Sequence, residues 1–364
     1  SMMEYFCIEI WHEKIIEKNR FFSKENVSFF RRTLAWQKAK NDYILLQFIS
    51  VELLFFDCFL LHHDPVLISE IETIFLDKSP HSCVIDATLG LWWHAKMFCS
   101  HMGQGDQFIG IDRDRDNLEI AQNNLVDTPL WIQKHLIHSS FADIDEILDN
   151  LSIPSIDFIL YDLGVSSAHY DDGDRGFSIR FDAPLDMRFD RTQGRTARDL
   201  VMSLSEYELR DLMFRYADEK KAVHIARAIV EERKNKSINT TFDLLQIIKA
   251  SSYDDHSPKR VFQALRIAVN AEFEHIEISI KKSIEKLSIG WRIAIISFHS
   301  IEDRIVKNLL TPYLTGTIDD FTWQTIVPAR LSKYNKKPIL PTEKEISENP
   351  RSRSAKLRVL TRIN

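Results

Sequence analysis

Residues 82–116, SCVIDATLGLWWHAKMFCSHMGQGDQFIGIDRDRD, contain the pattern that decides the fold. Residues 83–85 and 108–111 are short apolar runs that predict two buried strands, and the segment between them has helical character. The first run ends at Asp86 and the second at Asp112. Two parallel strands joined by a crossover helix form the nucleotide-binding unit of an open α/β sheet, and we predict that unit here.

The turn and the second acid of this unit predict a nucleoside ligand. Asp112 lies 22 positions after Gly90, close to the spacing of about 20 residues at which an acid reaches ribose hydroxyls. Trp92 and Trp93 stand where further glycines of such a turn are expected. The pattern by itself does not identify the nucleoside.

The composition is that of a globular protein with ordinary cores. The chain has 364 residues, of which 44% are hydrophobic and 27% are charged. Its formal net charge of −6 argues against coating nucleic acid by bulk charge, so any nucleic-acid binding requires a local basic patch. The cysteines lack C-x-x-C spacing and zinc-finger partners, so we expect reduced thiols, a cytoplasmic location and no metal site.

Residues 1–61 form an aromatic-rich extension with mixed charges, whose role stays open. Within it, residues 43–61 are apolar enough to raise the question of a membrane span, but they include Glu52 and Asp57. Because a central acid costs about 2.5 to 3.5 kcal/mol, we expect no membrane insertion. A packed helix or helical pair is predicted, and a surface that docks a partner or a membrane is the alternative.

The rest of the chain continues the α/β pattern and interrupts it once. Further strands are predicted at residues 131–137, 156–161, 292–298 and 357–363. Residues 258–287 predict one long helix, and the proline-containing segment between the last two strands is predicted to be mostly extended or loop.

The interruption is an all-helical block, which indicates an inserted domain. Its predicted helices follow two capping boxes, Ser205 with Glu208 and Thr240 with Asp243. We therefore divide the chain into three parts. They are the extension at 1–61, the α/β domain at 62–167 and 257–364, and the inserted helical domain at 168–256.

Nine short motifs in chain order resemble the bacterial 16S ribosomal RNA cytosine-N4 methyltransferase family. They span about three hundred residues, and residues 1–61 lie outside them. The motifs are HDPVL (63–67), DATLG (86–90), IDRD (111–114), DLGVSS (162–167), RGFS (175–178), PLDMR (184–188), FQALRI (262–267), SFHSIEDR (297–304) and NPRSRSAKLR (349–358).

The resemblance implies a fold, an activity and partners. The fold is α/β, a Rossmann-like class I methyltransferase sheet with an inserted all-helical domain and an extra N-terminal segment. The activity is transfer of a methyl group from S-adenosylmethionine to the N4 amine of a cytidine in 16S ribosomal RNA. The partner is this RNA or the small ribosomal subunit, and no membrane partner is expected. Whether the protein forms a homodimer stays open, since the sequence does not determine the oligomeric state.

Asp162 is the candidate catalytic residue. Cytosine N4 is a poor nucleophile because its lone pair is delocalised, so an acceptor that holds the amine hydrogens would orient it and take up developing charge. Asp162 follows a predicted strand on the edge where α/β sheets bind ligands. The alternative is a carboxylate that only caps the next turn.

The resemblance extends the cofactor site to eight residues. For Asp112 the alternative is a surface acid, and for Phe141 it is core packing. The predicted cofactor-binding residues are Gly90, Trp92, Trp93, His94, Asp112, Phe141, Asp162 and His169.

RNA recognition by splayed bases requires basic and polar contacts. Residues 330–364 hold ten Lys or Arg against three acids, which supplies the local patch that the net charge requires. For a single basic residue of the inserted domain, a solvated surface position is the alternative. The predicted RNA-binding residues are Arg175, Arg188, Arg266, His299, Arg351 and Arg353.

The departures from the family pattern define a second hypothesis. The resemblance predicts Gly-Gly-His in the first turn, where this chain has Trp92, Trp93 and His94, and a glutamine where it has His169. If the indoles turn outward the backbone still reaches the cofactor, and if they turn inward they fill the pocket. The alternative is therefore an RNA-binding protein of the same fold with a degenerate cofactor site and weak or no catalysis.

Overall fold

The computed structural model describes residues 65–78, 80–318 and 325–364. The predictions for residues 1–61 lie outside the described residues.

Helices flank a central sheet and form a separate cluster in the middle of the chain. In chain order they are α1 Ile68–Leu76, α2 Trp93–His101, α3 Arg115–Asn124, α4 Ile144–Asn150, α5 Ser167–Asp171, α6 Ala197–Ser203, α7 Glu206–Ala217, α8 Ala222–Asn235, α9 Thr241–Ser251, α10 Ser257–Asn270, α11 Glu272–Lys286, α12 Ser300–Thr315 and α13 Glu343–Glu348. Short 3₁₀ segments cover Phe141–Asp143 and Pro350–Ser354.

Seven strands form the main sheet, in the order β3-β2-β1-β4-β5-β9-β8. The strands are β1 Cys83–Asp86, β2 Gln107–Asp112, β3 Gln133–His138, β4 Ile156–Asp162, β5 Leu287–Ser297, β8 Leu331–Lys333 and β9 Lys356–Arg362. The pairings from β3 through β5 are parallel. The β5–β9 and β9–β8 pairings are antiparallel. A small hairpin pairs β6 Thr317–Ile318 with β7 Thr325–Val327.

The strand order reverses between β1 and β4. After β1 the chain continues outward through β2 and β3, and then returns to the other side of β1 as β4. In open α/β sheets a ligand crevice forms beyond the carboxyl ends of the strands at such a switch point. Asp86 and Asp162 are the last residues of the two strands that flank it.

The two faces of the sheet pack against different helices, as the alternation of side chains along a strand requires. Val84 belongs to the apolar cluster shared with α1 and α2, which includes Phe75 and Phe98. Ile85 belongs to the opposite cluster, shared with α4, α11 and α12. Both faces are covered, which is typical of a mostly parallel sheet.

The helical cluster has its own apolar core, formed by α6 to α10 with Phe177 and Leu185 from the preceding loop. The two predicted capping boxes are confirmed at Ser205 and Thr240. Helix α10 joins this core to the sheet: Val261 and Leu265 pack in the helical cluster, and Ile267 packs under the sheet.

One element prediction is wrong, and a second is incomplete. The single helix predicted over residues 258–287 is broken at Ala271, whose left-handed φ of 49° separates α10 from α11. The segment predicted to be mostly extended or loop contains α12, a 16-residue helix with Pro312 near its end. A capping box between His299 and Glu302 starts this helix, and Ile301 is buried along it.

In the described part of the chain, no helix is both long enough and apolar enough to cross a membrane.

Candidate methyl-donor site

The turn that follows β1 is tied by hydrogen bonds to the ends of β2 and β4. Gly90 has φ +53°, a left-handed conformation that glycine adopts without steric cost, and its N–H donates to Asp112 Oδ2 at 2.8 Å. The Asp162 N–H donates to Thr88 Oγ1 at 2.6 Å. The carboxyl ends of three neighbouring strands therefore meet at this turn.

Trp92 and Trp93 follow the turn directly. Trp92 has φ 109° and ψ −10°, a conformation that costs a non-glycine residue about 1 to 3 kcal/mol. Its indole is buried in the cluster shared with α1 and α2, and it stacks on Trp93 with ring centroids 5.1 Å apart. The Trp93 Nε1–H is buried and has no hydrogen-bond partner among the described residues. Trp92 thus packs into the core, and Trp93 keeps an unused donor.

Asp162 lies in an environment that opposes its ionisation. Its Oδ1 is buried without a hydrogen-bond partner in the described chain, while its side chain as a whole is 26% exposed. Burial, and then the charges of Asp86 and Glu302, raise the pKa of Asp162 to about 8. Burial likewise raises the pKa of Asp86 to about 7. An unpartnered carboxyl oxygen on the ligand edge can accept a hydrogen bond from a bound amine.

His94 is a basic side chain that lies beside Asp162. It is buried in the first turn of α2, and its Nδ1 lies 3.8 Å from Asp162 Oδ2. Its Nε2 lies 3.2 Å from the carbonyl oxygen of Val66. The imidazole therefore connects the segment before α1 to the end of β4.

Asp112 is half-buried and already accepts three hydrogen bonds. The donors are the N–H of Gly90, the N–H of Asp114 at 2.7 Å and Asn117 Nδ2 at 3.3 Å. Burial nevertheless raises its pKa. Each carboxylate oxygen has two lone pairs, so these contacts hold the carboxylate in position and leave acceptor capacity for ribose hydroxyls.

Phe141 is half-buried in a 3₁₀ turn shortly after β3. Its ring packs edge-to-face against the rings of Tyr161 and His275, with centroid distances of 5.8 and 6.4 Å. The Phe141 ring therefore packs against the core under the sheet, which agrees with the alternative of core packing. It is only partly buried there.

His169 is buried and held from both sides. The Ser166 N–H lies 3.2 Å from its Nδ1, which leaves the proton on Nε2, and Nε2 donates to Asp114 Oδ2 at 2.7 Å. Arg175 donates to the same oxygen at 2.8 Å. The contacts with His169 and Arg175 outweigh the burial of Asp114 and hold its pKa at about 2. This buried cluster connects the segment after β2, helix α5 and the loop before α6.

A sequence profile of the MraW methylase family matches residues 60–363. The chain belongs to the MraW methylase family. This membership confirms the family resemblance that the nine motifs predicted.

Close relatives carry one name. The chain is 40% identical over 314 residues to Ribosomal RNA small subunit methyltransferase H of Caldicellulosiruptor saccharolyticus, covering 83% of this chain and 99% of that protein. The protein of the same name from Bacteroides thetaiotaomicron is 39% identical over 308 residues, covering 82% and 97%. A crystal structure of a putative rRNA methylase from Clostridium thermocellum matches with 11% identity and a TM-score of 0.42, covering 83% and 100%.

In this MraW family member, two residues predicted to bind RNA are buried in ion pairs instead. Arg175 is 4% exposed and also donates to the carbonyl oxygens of Arg188 and Phe189. Arg266 is 7% exposed and donates to both oxygens of Glu272, at 2.7 and 2.9 Å. Neither guanidinium faces solvent, so we no longer assign these two arginines to the RNA surface.

The remaining predicted RNA residues are at least partly accessible. Arg188 is held by Asp186 through two hydrogen bonds, at 2.7 and 2.8 Å. Arg351 lies 3.2 Å from the carboxylate of Asp171, at the end of α5. Arg353 is exposed and has no ion-pair partner in the described ranges.

His299 borders a cavity of about 360 Å³ between the helical cluster and the start of α12. Lys220, Arg260, Gln263 and Ser300 also line this cavity. The His299 Nδ1 accepts from the Glu302 N–H at 3.3 Å, so His299 also caps α12. The cavity brings the inserted helices and the end of β5 to one surface.

Sequence reasoning missed the environment of three acids, Asp86, Asp114 and Glu302. Asp86 ends a predicted strand just as Asp112 does, so its signal was present. Glu302 stands three residues after a histidine cap, and histidine is not among the preferred N-cap residues, so its signal was weak.

No group of three or more His, Cys, Asp or Glu in the described residues is arranged to hold a metal ion.

Proposed function

We propose that this protein transfers a methyl group from S-adenosylmethionine to the N4 amine of a cytidine in 16S ribosomal RNA. The observation that carries the proposal is the meeting of Gly90, Asp112 and Asp162 at the switch point, in a member of a methylase family. Relatives about 40% identical over nearly their whole length are named ribosomal RNA small subunit methyltransferases.

The residues of the site fit the cofactor. The cofactor supplies a methyl group on a positively charged sulfur. Asp112, fixed by the turn, would accept from the ribose hydroxyls, and the half-buried ring of Phe141 would border the adenine. Gly90, Trp92, Trp93, His94 and His169 stay predicted members of this site, with the Trp93 indole N–H available as a donor.

Asp162 would orient the cytosine. Its unpartnered oxygen accepts one hydrogen of the N4 amine, which aims the nitrogen lone pair and stabilises the positive charge that develops on it. Bond formation at N4 leaves one extra proton on the nitrogen. A carboxylate whose pKa is raised to about 8 is suited to take that proton.

Substrate recognition is proposed for the helical insert and the C-terminal segment. The cavity beside His299 would accept part of the RNA near the target base, while Arg188, Arg351 and Arg353 would contact phosphates. The division at 62–167, 168–256 and 257–364 remains our proposal for the domains. A cytoplasmic location, where small subunits are available, and a homodimer are proposals of the same kind.

The alternative, an RNA-binding protein with little or no catalysis, is not favoured. Relatives across the full domain are named as methyltransferases.

Calorimetric titration with S-adenosylmethionine and methyl transfer to small subunits test the proposal together. Asp162→Ala should abolish transfer and leave RNA affinity nearly unchanged, because it removes the amine acceptor and no surface charge. Asp127→Ala, an exposed acid on another loop, is the matched control and should transfer methyl normally. Absence of heat at millimolar cofactor with RNA binding intact would disprove the methyltransferase.

A further inference from the structure

The tautomer of His94 is set by a backbone carbonyl. Its Nε2 lies 3.2 Å from the oxygen of Val66, and a carbonyl oxygen can only accept a hydrogen bond. In the neutral ring, Nε2 therefore carries the proton and Nδ1 is the acceptor. This Nδ1 is the atom that lies 3.8 Å from Asp162 Oδ2.

The carbonyl of Val66 is itself held by an unusual backbone conformation. The next residue, Leu67, has φ 56° and ψ 30°, the left-handed region that costs a leucine on the order of 1 kcal/mol or more. Such a conformation persists only where its surroundings fix it. The Leu67 side chain is fully buried, and its carbonyl accepts from the Ile71 N–H at 3.0 Å to begin α1.

The N–H of Leu67 is fixed by a residue near the other end of the chain. It donates to Glu345 Oε1 at 2.7 Å, across a sequence separation of 278 residues. Glu345 lies in the first turn of α13, where its own N–H donates to Thr342 Oγ1 at 3.1 Å. Burial raises the pKa of Glu345, as expected for a carboxyl group partly removed from solvent.

We propose that Glu345 is a positioning residue for methyl transfer. By holding the left-handed Leu67, it fixes the Val66 carbonyl, which fixes the tautomer and orientation of His94 beside Asp162. The methyl-transfer part of this inference rests on the proposed function. The part that concerns the His94 tautomer does not.

Two substitutions separate the effect of side-chain length at Glu345 from the effect of its negative charge. Glu345→Gln keeps the Oε1 acceptor and removes the charge, whereas Glu345→Asp keeps the charge and is one methylene too short to reach Leu67. Glu343→Ala, in the same turn of α13 and exposed, is the matched control. All three are made in the full chain.

Steady-state transfer to small subunits gives the first measurement. We expect Glu345→Asp to lower kcat about tenfold with KM for the subunit unchanged within about twofold, because a misplaced site costs rate more than binding. Glu345→Gln and Glu343→Ala should stay within about twofold of the wild type. Equal losses in the Asp and Gln variants, or no loss in either, would overturn the positioning role.

Nitrogen NMR of histidine-labelled protein gives a measurement that is independent of activity. The His94 signal is identified by its loss in His94→Gln and is read at a pH where the ring is neutral. We expect the pure Nε2–H tautomer in the wild type and Glu345→Gln, and a mixture in Glu345→Asp. A pure Nε2–H tautomer in Glu345→Asp would refute the positioning role of Glu345, whether or not the wild type transfers methyl groups. Absence of methyl transfer by the wild type would instead refute the proposed function.

Discussion

Trp92 offers a direct test of backbone strain at the site. Its φ of 109° lies in the region that favours glycine, yet its indole is buried with 6% of its surface exposed. Truncation to alanine removes the indole and keeps the strain, whereas truncation to glycine removes both. The two variants therefore differ mainly in the backbone contribution.

The expected magnitudes follow from these two effects. Loss of a buried tryptophan side chain costs about 3 to 5 kcal/mol of unfolding free energy, and this cost applies to Trp92→Ala. Release of a strained positive φ returns about 1 to 3 kcal/mol, so Trp92→Gly should lose about 1 to 3 kcal/mol less than Trp92→Ala. In a helix interior the order is opposite, with glycine about 1 kcal/mol worse than alanine.

Urea unfolding of the two variants, followed by circular dichroism, measures the difference. Ala95, in the first turn of α2 and fully buried, provides the control: Ala95→Gly should destabilise, as is usual within a helix. Calorimetry should also show cofactor affinity retained or increased in Trp92→Gly, since glycine permits close backbone approach. If Trp92→Ala is as stable as Trp92→Gly or more so, the assigned strain is absent.

Two further predictions concern rate and RNA binding. The pKa of Asp162 is raised to about 8, and its carboxylate form is the acceptor. The value of kcat/KM should therefore rise about tenfold per pH unit below pH 8 and level off above it. A flat profile between about pH 6 and pH 9 would contradict this role. Charge reversal at Arg351 and Arg353 should reduce the slope of log affinity against log salt by about 1.4 to 1.8, and Lys281→Glu on α11 should leave it unchanged. An unaltered slope in the double variant would show that the RNA lies elsewhere.

The ligand edge could be predicted because its signals are local. Asp86, Asp112 and Asp162 each end a short apolar run, and parallel strands bring such ends to one edge. The turn at Gly90 and the order of the motifs then sufficed for the family. The geometry at Trp92 could not be predicted, since whether an indole packs inward depends on α1 and α2 together.

The helix break at Ala271 and helix α12 show where local signals mislead. Alanine is the best helix former, so nothing in the sequence marks Ala271 as a left-handed residue. Pro312 suggested loop, but it stands in the last turn of α12, whose start is fixed by the His299 cap and whose apolar side packs under the sheet. At α12, tertiary burial outweighs the local signal of Pro312.

Basic residues were the least predictable part of the site. Arg175 and Arg266 resemble RNA contacts in sequence, but their carboxylate partners lie elsewhere in the fold: Asp114 follows β2, and Glu272 stands beyond the break at Ala271. A buried guanidinium requires such a partner, because an unpaired buried charge is strongly destabilising. Only the folded chain shows which arginines are used in this way.

Two residues with strained backbones and two carboxyl groups with raised pKa values lie near the edge where methyl transfer is proposed. Leu67 and Trp92 both have left-handed φ, and Asp86 and Asp162 both have pKa values raised by burial. A carboxyl group whose folded pKa lies above its unfolded value contributes stability below the unfolded pKa. For Asp86 and Asp162 that contribution is lost progressively as the pH rises from 3.8 to the folded pKa values of about 7 and about 8. These two carboxyl groups therefore contribute less to stability over the same pH range in which Asp162 becomes a competent acceptor, the opposition between stability and activity expected of a functional edge that the two apolar faces of the sheet hold in place.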